Sequence, residues 1–178
     1  MSKVSNVDET IARRVQDPLC AADELAALVG TSKEIDRLIA SHSRADADTF
    51  KKLATSQYDA AIRENVATNP NAPLDVLIGL SGEWALAVLL NPAFYLVVRE
   101  DPSVLERLGA YPLGRMLAQK ECPLSMINWA FDFYSSRDEF EPRVLEGIIE
   151  NPSTPVERLE AVLRLDTRMD YSSAEGLL

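Results

Sequence analysis

Three kinds of side chain in this sequence could do chemistry. His42 is the only histidine and could act as a general base; Cys20 and Cys122 could act as nucleophiles. The acidic pairs Asp46 with Asp48 and Asp138 with Glu139 could do acid–base work. A serine or cysteine nucleophile needs a base within hydrogen-bond reach, and one histidine must serve every such arrangement. Two cysteines make neither a disulfide framework nor a metal cage, and their separation matches no short ligand spacing. There is no Gly-rich phosphate loop, no HExxH and no zinc-type cysteine pair. No residue is therefore assigned a catalytic, cofactor-binding or metal-ligating role, and the chain is expected to be no enzyme and to use no cofactor.

The elements that would have to position these groups explain them better. The stretch VATNPNAPLDVLIGLS, residues 66 to 81, returns 82 residues later as IIENPSTPVERLEAVL. Asn69, Pro70, Pro73, Asp75, Leu77 and Leu80 then coincide with Asn151, Pro152, Pro155, Glu157, Leu159 and Val162. Shorter shifts align VQDPLCAADELAAL, IASHSRADADTFKKLA, and the stretches after Asn91 and Gln119. The slot of Asn69 is thus filled at 17, 42, 69, 91, 119 and 151, spacings of 25, 27, 22, 28 and 32 residues, within the range of solenoid repeats. His42 sits in the Asn slot, where a polar side chain can bond local backbone. Cys20 and Cys122 sit in the slot of Ala72 and Thr154, where a small residue packs at a corner.

The residue before a proline is pushed out of the α region, so Asn69 before Pro70 ends one helix. Proline is tolerated at the first helical position, so Pro73 is expected to open the next. In the last copy Thr154 and Glu157 have the spacing of a capping box. Leu77 and Leu80, three apart, share one face of their helix and need a neighbouring repeat to cover them. The copy after Asn91 departs from the pattern, and its second helix is expected at DPSVLERL, with Asp101 as cap and Pro102 at the first position.

On these residues, from about Arg13 to Leu163, the chain resembles the bacterial leucine-rich repeat variant family. The resemblance implies a right-handed, HEAT-like α-solenoid: all-α, about six irregular two-helix repeats, one domain over 1–178. Some members carry a separate iron–sulfur segment with clustered cysteines, to which nothing here corresponds. Residues 1–9 and 170–178 lack the pattern and are expected to be flexible. The long last spacing, spanning FDFYSSRDEF and EPRVLEGIIE, reads as an insertion on one edge.

Composition bounds the function. Charged residues at 26% and hydrophobic ones at 47% fit a soluble globular protein. The net charge of −10, from 28 acidic and 18 basic side chains, repels nucleic acid and anionic membranes unless cations gather on one face. No apolar run approaches the ~20 residues of a bilayer crossing, so a cytoplasmic location is expected. Two functions fit. One is a non-catalytic module binding another, possibly basic, protein as scaffold, adaptor or immunity-type inhibitor. The other is a helical-repeat hydrolase or glycosylase acting on nucleic acid, which would need Arg63, Arg99, Arg107, Arg115 and Lys120 to line one groove. Nine of the twelve aromatic residues lie between Trp84 and Phe140. The partner site is placed where the pattern breaks: Phe94, Tyr95, Arg99, Phe133, Tyr134, Asp138, Glu139 and Phe140.

Overall fold

The computed structural model describes residues 4–55, 57–136 and 141–164, and the described residues contain helices and no strand. The chain divides into two compact units, residues 1–100 and 101–178. In the first unit, α1 (Val4–Val15), α3 (Lys33–Ala40), α5 (Ala60–Thr68) and α7 (Ala85–Leu89) pack each on the next. Between them run α2 (Ala22–Leu28), α4 (Ala47–Leu53), α6 (Leu74–Leu80) and finally α8 (Pro92–Glu100). No proline or glycine interrupts the chain before Pro18, and α1 begins at Val4. The C-terminal stretch 170–178 lies outside the described residues.

Local sequence sets these boundaries. Ser32, Asp46 and Asp59 open α3, α4 and α5 by accepting hydrogen bonds from Ile35 N, Thr49 N and Ala61 N. Apolar residues three and four apart then turn inward. Ile35 and Ile39, Phe50 and Leu53, Ile62 and Val66, and Leu77 and Leu80 are all buried. Each such side chain contributes about 1.5–3 kcal/mol relative to its exposed state.

The corners after α1, α3 and α5 are built alike. Each is a turn in which the N–H at the fourth position returns to the carbonyl at the first: Cys20 to Asp17, Ala45 to His42, Ala72 to Asn69. The first side chain accepts from the backbone two residues on: Leu19 N to Asp17 Oδ1, Arg44 N to His42 Nδ1, Asn71 N to Asn69 Oδ1. His and Asn in this slot also reach back to the preceding corner. Asn69 Nδ2 donates to Ala40 O and His42 O at 2.9 and 3.2 Å, and Asn91 Nδ2 to Ala67 O and Asn69 O at 2.8 and 2.9 Å. His42 Nε2 donates to Asp17 O at 3.0 Å. Since a carbonyl can only accept, these partners fix the Nε2–H tautomer.

One expectation shifts by a residue. Pro73 is the N-cap of α6, extended at ψ 148°, and its carbonyl receives the first helical N–H. After Asn91 the corner is shortened: Asn91 Oδ1 accepts from Ala93 N, and Pro92 itself opens α8.

The second unit begins with a 3₁₀ helix, Pro102–Leu108, capped as expected by Asp101, whose carboxylate accepts from Ser103 N. Then come α9 (Ala110–Leu117), α10 (Leu124–Ser135), α11 (Pro142–Glu150) and α12 (156–164). EPRVLEGIIE is not an edge insertion. It forms α11, which packs on α9 and leads into Asn151 as α5 leads into Asn69. Asn151 Nδ2 donates to Leu117 O and Gln119 O, and its Oδ1 accepts from Ser153 N. Thr154 does not form the capping box; buried, it donates its hydroxyl to Ile148 O. Gly114 and Gly147 mark where α9 and α11 cross. A Cβ on Gly114 would overlap the Arg143 carbonyl, and one on Gly147 the Gly114 carbonyl.

Asn91→Ala should lower the unfolding free energy by about 1–3 kcal/mol in urea titration, and Asn91→Asp by more, since a carboxylate there faces two carbonyls it cannot bond. Gly147→Ala should cost about 3 kcal/mol or more by the same measurement, because backbone rather than a flexible side chain stands in the way.

Candidate functional site

The groups with catalytic potential are held by backbone. His42 is buried with both ring nitrogens engaged. Cys20 and Cys122 are buried, as the corner slot requires, and burial is the largest cause raising both thiols, Cys122 to about 12. Thiolate chemistry is suppressed at both. Asp46 Oδ1 takes Thr49 N at 2.8 Å, and that bond holds its carboxyl below the usual range. Asp48 is exposed on the first turn of α4. Among the described residues no group of three or more His, Cys, Asp or Glu side chains could hold a metal ion.

The residues placed in a partner site fall in different units. On α8, Phe94 is buried at 1% exposure and belongs to the core of the first unit, while Tyr95 is 47% exposed and Arg99 is exposed. Tyr134 on α10 is buried at 7% and likewise belongs to the core of the second unit. The reason is helical geometry. Neighbours in sequence point about 100° apart, so an aromatic pair straddling the core boundary divides. Phe133 is half-buried, stacked on Trp129 at 4.8 Å and edge-on to Tyr134 at 5.0 Å. Asp138, Glu139 and Phe140 lie outside the described residues.

Sequence reasoning missed three further exposed apolar side chains. Leu86 on α7, Leu90 at its C-cap and Leu96 on α8 are 41%, 57% and 46% exposed, although α7 and α8 pack together. The signal was present in PAFYLVVRE, an apolar run with one buried member.

The cations of the first unit are largely neutralised. Arg63 Nη1 lies 2.7 Å from Glu83, Lys51 3.4 Å from Asp75, and Arg14 makes two bonds of 2.7 Å to Glu24. Of the five cations a nucleic-acid groove would need, Arg63 and Arg99 belong to the first unit and Arg107, Arg115 and Lys120 to the second. In the second unit Arg115 lies over the Tyr111 ring at 6.0 Å, and Arg158 over Phe131 at 4.6 Å while bonding Asn128 and Asp132 at 3.0 Å. Among the described residues no helix is long and apolar enough to cross a membrane.

The depressed pKa of Asp46 fixes a sign. Its contribution is fully present above the unfolded-state value of about 3.9 and is lost as pH falls through the folded value. Asp46→Ala should cost about 1 kcal/mol at pH 7, and its difference from the parent should shrink below about pH 4. Asp46→Asn keeps the cap and should lose that pH dependence; thermal melts across pH check both.

Against known proteins, the chain matches no family model, no curated protein and no solved structure.

Proposed function

We propose that this chain is a non-catalytic protein-interaction module of the leucine-rich repeat variant, HEAT-like type. Its helix pairs form a right-handed solenoid of about six irregular repeats, acting in the cytoplasm as scaffold, adaptor or inhibitor. The recurring corner at Asp17, His42, Asn69, Asn91 and Asn151 supports the repeat reading. The observation that carries the functional one is the exposure of Leu86, Leu90, Tyr95 and Leu96 on two packed elements of the first unit. Several large apolar side chains left in water on adjoining elements mark an interaction surface, and Tyr is enriched at such surfaces. Arg99 on the same helix supplies a charged rim. The net charge of −10 favours a basic partner and would speed its approach at low salt.

The test is capture of partners from the source cell by the immobilised parent, by a Tyr95→Ser, Leu96→Ser variant and by Arg63→Ala. The double variant should lose the captured protein while its stability stays within about 0.5 kcal/mol, as expected of surface changes. Arg63→Ala should keep it. Equal capture by parent and double variant, or loss only with Arg63→Ala, refutes this surface.

A further inference from the structure

The repeat that buries apolar residues in the first unit leaves them in water in the second. A shift of 82 residues lays Ile149, Val156, Leu159 and Leu163 on Ala67, Leu74, Leu77 and Ser81. Ala67, Leu77 and Ser81 are fully buried and Leu74 is half-buried, because α5 packs on α7 and α6 packs on α7 and α8. Their counterparts are not covered. Ile149 is 50% exposed, Val156 64% and Leu163 60%, and Leu159 is half-buried. Ile149 also stands two places before its corner residue, where Val15, Ala40, Ala67, Leu89 and Leu117 are all buried.

Helical geometry divides α12 into two sides. Arg158 and Val162, four apart, share one of them: Val162 is buried, and Arg158 bonds Asn128 and Asp132 at 3.0 Å while lying over Phe131 at 4.6 Å. That side is fixed on α10. Val156, Leu159 and Leu163 follow the i, i+3, i+7 spacing and form a stripe about 100° round the helix from it. The charges on α12 balance, with Glu157 and Glu160 against Arg158 and Arg164, and Arg164 lies 3.5 Å from Glu160. An apolar stripe with balanced charge beside it, held at a fixed angle, asks for an apolar cover of no particular sign.

We propose that this stripe pairs two copies of the chain about a two-fold axis, α12 lying antiparallel on α12. The spacing is self-complementary. With the axis between positions 159 and 160, Val156 of each copy meets Leu163 of the other, and the two Leu159 side chains meet at the centre. Balanced charge on α12 lets like faces approach although the whole chain carries −10, and it gives a basic foreign protein no electrostatic preference for this helix. Helices of nine residues make an interface below the ~800 Å² per partner of a stable complex, so the dimer forms and dissociates with concentration. The stripe belongs to the second unit and does not depend on the α7–α8 surface of the first. Two copies joined here carry two such surfaces, which favours a partner with more than one binding site.

The experiment is sedimentation equilibrium of the full chain from about 1 μM to about 1 mM, the range of a weak complex. Monomer should pass to dimer and to nothing larger, since a two-fold interface closes on itself. Val156→Lys and Leu163→Glu, both at exposed positions, should each keep the thermal melt of the dilute parent and raise the dimer dissociation constant by about tenfold or more. Combined in one chain, they set opposite charges across both Val156–Leu163 crossings and should restore association at low salt. Tyr95→Ser in the first unit should dimerise as the parent does. The proposal is overturned by growth beyond the dimer, by single variants that associate like the parent, or by a double variant no better than the singles. A monomer at every concentration also overturns it and assigns the cover to residues 165–178 or to a foreign protein. The α7–α8 surface is read separately, by partner capture.

Discussion

The chain turns on carbonyl groups that no helix can satisfy. At each corner the last carbonyls of a helix point past its end without intrahelical donors, and in the buried interior water cannot serve them. An Asn in the next corner answers that demand with a single side chain. Its amide carries two N–H groups for two carbonyls, those of Ala67 and Asn69 in the case of Asn91, and one oxygen for the backbone N–H two residues on. The same group thereby closes its own turn and ties it to the previous one. His42 performs the role with one donor and so reaches one carbonyl, that of Asp17. Gln119, one carbon longer, turns its amide onto Arg115 O in the helix just before it instead.

Tight corners impose a size limit next to the polar slot. The fourth turn position carries Cys20, Ala45, Ala72, Cys122 and Thr154, all buried. The cysteines are there for volume, and the burial that makes them fit also makes them unreactive. The crossing of α9 and α11 carries the same principle further, since only glycine lets the Gly114 and Gly147 backbones meet. Helix rows held this way need few charged contacts for stability. Exposed ion pairs, such as Lys51 with Asp75, lie at the surface, where pairs contribute about 0–1 kcal/mol.

A surface that binds is one where this economy is broken. Leu86, Leu90, Tyr95 and Leu96 expose apolar area that the corners do not require. All four lie in the first unit. They leave an unmet demand for apolar cover.

The sequence by itself determined the corners and the roles of most of their polar residues, because these follow from local chemistry. Proline restricts its predecessor, Asn and Asp bond the backbone two residues on, and small residues sit where chains turn. His42 and both cysteines were legible for that reason, as slots in a recurring pattern. Tertiary structure decided what periodicity cannot. That α11 is the partner of α9 rather than an insertion depends on two glycines 33 residues apart meeting across helices. That Phe94 and Tyr134 are core while Tyr95 is exposed depends on where each helix presses against its neighbours. The open depression lined by Gly30, Asp36, Tyr58 and Asp59 depends on two loops brought together across α3 and α5. Local propensity is written residue by residue, but burial is a property of what lies opposite, and only the packed chain supplies that.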